Sequence, residues 1–204
     1  MRQLLRSVGI ICVLVPGLTT LLHAGPVTFD FENILAGTPT SFPDTVNGLL
    51  ATFSSSPDAG GFMVASMPGF FQSLSGNVLI DSAPESLPIV FGAPLTDISL
   101  DFATFDTQAL NLSAFLLGSP VGSSSATGTV PAGFSLPEGV LSFSGATFDT
   151  VVLSSLTPNF VVDNVAATDP PAIDAPAVPE PGSFLFCAGA LAALSFAQLR
   201  RRIS

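Results

Sequence analysis

The sequence predicts an all-β protein, a two-sheet antiparallel β-sandwich preceded by a signal peptide and followed by a transmembrane helix. Three observations predict the sandwich. From residue 26 to 168 the chain is a series of short apolar and β-branched runs separated by clusters of Gly, Pro, Ser, Asn and Asp, the punctuation of strands joined by turns. No stretch of helical length there repeats its apolar residues every 3.6 positions. Where the pattern is regular its period is two: Ile98, Leu100 and Phe102 fall on one face of a strand and Asp97, Ser99 and Asp101 on the other.

The elements follow in order. Residues 1–24 open with Arg2 and Arg6, run through apolar residues broken at Pro16-Gly17, and reach the small pair Ala24-Gly25, as a secretory signal peptide does. The domain, residues 25–168, carries strand-forming runs at 27–33, 49–54, 62–66, 77–81, 89–91, 96–105, 110–117, 126–130, 140–144, 148–154 and 159–168. That many short strands around one core fits two packed sheets. In the first run Phe29 and Phe31 point inward. The 18 Phe, with no Trp or Tyr, read chiefly as core filling, because a ring without a polar group does best fully buried. Residues 118–139 are rich in Gly, Ser and Pro and read as a long surface excursion, with an edge strand within it at 126–130. Residues 169–178 form a Pro-rich linker. The tail, 178–204, begins with Val178, Pro179, Glu180 and Pro181. It continues with an apolar segment at 182–199 that as a helix would be about 27 Å long, close to a bilayer's hydrocarbon thickness. Arg200, Arg201 and Arg202 follow directly and would hold that end in the cytoplasm, leaving the domain outside.

The charges are segregated. All five basic residues are the terminal arginines, whereas all 15 acidic residues lie between Gly25 and Glu180, a stretch without Lys, Arg or His. A domain without cations does not neutralise phosphates, which excludes nucleic acid as a partner and leaves cations as plausible ones. The two cysteines, Cys12 and Cys187, fall in the apolar terminal segments, so the domain has no disulfide and no thiolate. Without His, Cys, Lys, Arg or Tyr it also lacks the parts of a Ser-His-Asp or Cys-His site, a Schiff-base lysine or a nitrogen or sulfur zinc site. A glycosidase needs only two carboxylates at a suitable separation, and no pair stands out among the acids. Asp97, Asp101 and Asp106 read as a solvated acidic stripe.

Val178-Pro179-Glu180-Pro181, an apolar span and a terminal Arg cluster, in that order, resemble the PEP-CTERM sorting signal of Gram-negative bacteria. The resemblance implies processing near this motif by an exosortase-type enzyme, a transient stay in the inner membrane, and release to the cell surface or the medium. Phe29-Asp30-Phe31-Glu32 at the start, and the strand ending Asp163-Asn164-Val165, resemble the jelly-roll domains often found with such tails. This implies a jelly-roll-like sandwich, akin to carbohydrate-binding modules, whose first and last strands are neighbours.

Asp163 is the sharpest candidate for a ligand. By alternation it shares a face with Val161 and Val165, and a carboxylate on an apolar face must be paired, hydrogen-bonded or ligating. With no basic partner in the domain, one expectation is a structural calcium ion held by Asp163 with Asp30 and Glu32, should the first and last strands meet. The other is that Asp163 accepts backbone N–H groups while Asp30 and Glu32 are simply solvated. Three functions follow from these readings: a non-enzymatic surface or extracellular-matrix protein, a calcium-stabilised module binding extracellular polysaccharide, and a hydrolase that a close buried carboxylate pair in a cleft would reveal.

Overall fold

The computed structural model describes residues 25–58, 61–81, 86–156 and 159–168. The expected signal peptide, linker, transmembrane helix and sorting motif lie outside them. The described residues form ten strands and no helix: β1 Val27–Phe29, β2 Phe42–Val46, β3 Leu49–Phe53, β4 Phe62–Ser66, β5 Asn77–Asp81, β6 Leu87–Thr104, β7 Leu110–Leu116, β8 Ser119–Ala126, β9 Glu138–Ser155 and β10 Phe160–Thr168. Every pairing is antiparallel.

The expected two sheets are joined into one hydrogen-bonded ladder, because β6 and β9, 18 residues each, run through both layers as a pair. Their register shifts between Val90 and Leu95 and again between Leu95 and Asp97. The sequence supplies the reason: Pro94 has no N–H to donate to a ladder, and Gly145 takes the left-handed φ of 97° in the opposing strand. On one side of this irregularity β6 pairs with β3, and β9 with β7, which β8 extends to an edge. On the other side β6 lies between β10 and the start of β9, and β10 carries β1 and β5 on its far flank. The first and last strands do meet, Val27 opposite Ala167 and Phe29 opposite Val165.

One core fills the space between the layers. Phe29 of β1 meets Phe53 of β3 edge-on with ring centres 5.9 Å apart, and Phe62 meets Phe160 at 5.1 Å. Phe91 contacts Phe148, which in turn contacts Phe143. Each such buried ring contributes about 1.5–3 kcal/mol of apolar burial. Ile98, Leu100 and Phe102 are all buried, as their alternation requires.

The structure corrects several strand readings: the runs expected at 89–91 and 96–105 are one strand, β6, and those at 140–144 and 148–154 are one strand, β9. The first run stops at Phe29, since Phe31 adopts a φ of 59° and its carbonyl accepts the Ile34 N–H in a turn; Phe31 nevertheless points inward and is buried. Residues 42–46 form a strand that Pro43 and Asp44 disguise, tolerated because among the described residues β2 pairs only with β3, as an edge strand. Of the expected excursion at 118–139, residues 119–126 are β8, paired along its length with β7, and in place of the edge strand expected at 126–130 the chain beyond Ala126 makes only an isolated bridge from Thr129 to Glu138. In β10 the register shifts between Asp163 and Ala166, with Asn164 at a φ of 49°. This bulge turns Val165 into the main core and leaves Asp163 on the opposite face with Val161.

Candidate functional site

On that opposite face a second, smaller core forms. The β4–β5 connection, residues 67–76, folds over the sheet and packs Phe71 and Leu74 against Ala103, Val161 and Val78. Carboxylates hold it there. Glu138 of β9, 5 % exposed, accepts the Gln72 N–H at 2.9 Å and the Ser73 N–H at 2.7 Å. Asp163, 1 % exposed, accepts Ser75 N–H through Oδ2 at 3.0 Å and Asn164 N–H through Oδ1 at 2.8 Å. Glu32 Oε1 accepts the Asn77 N–H at 3.0 Å, where the connection enters β5. In a domain without cations, peptide N–H groups thus supply the short bonds to buried Glu138 and Asp163 and to exposed Glu32.

Asp163 sits beside a second carboxylate. Asp101 is its cross-strand partner on β6, and the Asn164 side-chain amide donates to Asp101 Oδ2 at 2.9 Å. Burial pushes the Asp163 carboxyl up from the usual 3.8 to about 6. The Ser75 and Asn164 N–H groups oppose that rise, and the charges of Asp101 and Glu32 add to it.

The three expected calcium ligands are therefore placed as follows. Glu32 and Asp163 grip the two ends of one loop segment, Ser75 to Asn77, by its amides. Asp30 is exposed and accepts the N–H of Glu32 at 3.2 Å, a local turn contact. Among the described residues no three His, Cys, Asp or Glu side chains are grouped so as to hold a metal ion. Asp163 accepts backbone N–H groups, as the second expectation has it, but Glu32 accepts one too and is not simply solvated. The sorting residues Val178, Pro179, Glu180, Pro181, Arg200, Arg201 and Arg202 lie outside the described residues.

Further along the same face, away from the covering loop, three strands build an open groove of about 350 Å³. Cross-strand register places its side chains in two rows. Thr168, Asp97 and Ser144 stand side by side on β10, β6 and β9, and Ala166, Ser99 and Ser142 form the next row. Pro26, Ile98 and Phe143 complete the lining. Asp97 is the carboxylate of the groove; it accepts the Thr96 hydroxyl at 2.8 Å and keeps acceptor capacity toward solvent. Of these residues sequence reasoning named Asp97, as one of an acidic stripe, and Ile98 and Ser99 only for their alternation along one strand. The stripe itself divides, because Asp101 is engaged by Asn164 and Asp106 accepts the Gln108 N–H in a turn. The one signal that pointed to Ser142 and Ser144 was their alternation with Leu141 and Phe143; no local pattern marked Thr168 as their neighbour.

No family model matches the chain, and no curated protein does. Among solved structures it is similar to the K1 cleaved adhesin domain of Lys-gingipain from Porphyromonas gingivalis W83, at 10% identity and a TM-score of 0.45, over 72% of this chain and 99% of that one. It is similar also to a Clostridium stercorarium carbohydrate-binding module in complex with cellobiose, at 17% identity and 0.37, over 57% and 87%. A third is the catalytic unit of an α-1,3-glucanase from Streptomyces thermodiastaticus, at 14% identity and 0.37, over 66% of this chain and 26% of that one.

Proposed function

We propose that the chain is an exported, non-enzymatic surface or extracellular-matrix protein, delivered through its PEP-CTERM-like tail, whose β-domain binds an uncharged polysaccharide. The observation that carries this reading is the groove: Ser99, Ser142, Ser144 and Thr168 surround one carboxylate on three adjacent strands. Hydroxyls and a carboxylate fixed on a sheet accept and donate to sugar hydroxyls with little loss of side-chain freedom, since Ser and Thr are short. Pro26 and Ala166 offer a small apolar strip to the C–H faces of a sugar. With no Lys or Arg in the domain, uronate or sulfate polymers are repelled rather than bound.

Hydrolysis does not suit this groove, because glycoside cleavage takes two carboxyl groups and Asp97 is the one that lines it. Asp163, whose raised pKa would suit a general acid, is buried beneath the 67–76 connection with both oxygens on backbone amides. The polysaccharide reading needs no bound calcium.

Affinity electrophoresis of the chain in gels cast with neutral glucans, a uronate polymer and no polymer tests the reading. Retardation by a neutral glucan that Asp97→Ala abolishes is expected; equal mobility in every gel overturns the binding. Mass analysis of the mature protein tests the delivery, and a C-terminus still containing Arg200, Arg201 and Arg202 would overturn it.

A further inference from the structure

We propose that the free edge of β8 pairs with the β8 of a second copy of this chain, joining two domains edge to edge. Among the described residues strand β8 hydrogen-bonds only to β7 and, though it also packs against β9, ends the order of paired strands, so one flank of its backbone makes no ladder bonds there. Proteins usually blunt such an edge with charges, prolines or a covering segment. Here Pro120 and the register shift opposite Ala114 and Phe115 disturb only the first residues of the strand. Val121 to Ala126 carries Gly, Ser and Ala with no charge, and Ser123 and Ser125 are exposed.

Charge selects the partner. Acids occur in the turn after β1, in β2, β5, β6, β9 and β10, yet from Thr107 to Pro137 no residue is charged. Across the sheet, Asp149 of β9 is engaged by the Leu117 N–H at the hairpin turn, the end already set apart by Pro120. Two such domains repel one another along most of their surfaces, because neither offers a cation. The β7–β8 edge is the flank where identical copies approach without that penalty. An antiparallel pair of identical strands is also symmetric about a two-fold axis, so each copy offers the same flank. Opposed serines hydrogen-bond across such a pair. A strand from an unrelated basic protein would instead prefer the acidic faces.

The test uses the full chain in detergent with light-scattering detection over a concentration series. A dimer is expected that tightens as salt rises, because salt screens the residual repulsion between like-charged domains. Ser123→Glu with Ser125→Glu should weaken it at least about tenfold, like charges placed opposite one another being costly. Ser113→Glu, which puts the same charge on the same face of β7 but off the edge, should leave it intact. A monomer at all concentrations overturns the proposal, as does a dimer indifferent to the edge charges or one that salt loosens. Should the charged variants fail to fold, single cysteines from 121 to 126, in a chain with Cys12→Ser and Cys187→Ser, report the same contact. Cross-linking at the strand and none at Ser113→Cys supports it, and no cross-link along β8 overturns it.

Discussion

Asp163 and Glu138 carry the residue-scale lesson, that an acid is buried in a cation-free domain when backbone amides are aimed at it. Glu138→Gln leaves one acceptor oxygen where the two N–H groups of Gln72 and Ser73 converge, and should cost about 1–3 kcal/mol, read as a lower melting temperature. Asp163 gives the pH dependence. Its carboxyl titrates near 6 in the fold against 3.8 ordinarily, so the folded state holds the proton more tightly. Its stabilising contribution is then full below the ordinary value and is lost as pH rises through about 6. The melting temperature should therefore climb between pH 7 and pH 5, and Asp163→Asn should flatten that climb in the same scan. The sequence named Asp163 as a residue in need of a partner. It had no means of naming Ser75, 88 positions earlier, as that partner.

Among the elements, the placement of the 67–76 connection depends on a single small residue. Gly76 has a φ of 67°, and a Cβ there would land on the Glu32 carboxylate. Gly76→Ala should thus destabilise through both backbone strain and loss of the Glu32 bond, by at least about 1 kcal/mol, and hydrogen exchange at the Gln72 and Ser73 amides should accelerate with it. Strands 62–66 and 77–81 were legible to the residue because apolar positions and turn residues bound them on both sides. Strands β2 and β8 were not. Both lie at the flanks of the layers, where a strand buries only part of its surface and Pro, Asp, Gly and Ser are tolerated, so composition no longer separates strand from loop.

For the whole molecule, segregated charge is the governing property. A domain whose charges are all of one sign resists its own compaction, so its melting temperature at neutral pH should rise between low and moderate salt; a flat response would mean that the carboxylates lie too far apart to interact. Because the candidate calcium carboxylates are occupied by amides, calcium and EDTA should leave the melting temperature of the domain unchanged, and a calcium-dependent rise would restore the ligand reading of Asp30, Glu32 and Asp163.

The sequence by itself determined the β class, the Phe core and the separation of an anionic domain from arginine-bearing ends, since all three depend on the kind and spacing of residues along the chain. Tertiary structure alone decided that the two layers are one continuous ladder, that a bulge parts Val165 from Asp163, and that Thr168, Asp97 and Ser144 stand in one row. Those outcomes rest on register between strands distant in the chain, and in a period-two structure a shift of one residue exchanges every side chain between core and surface.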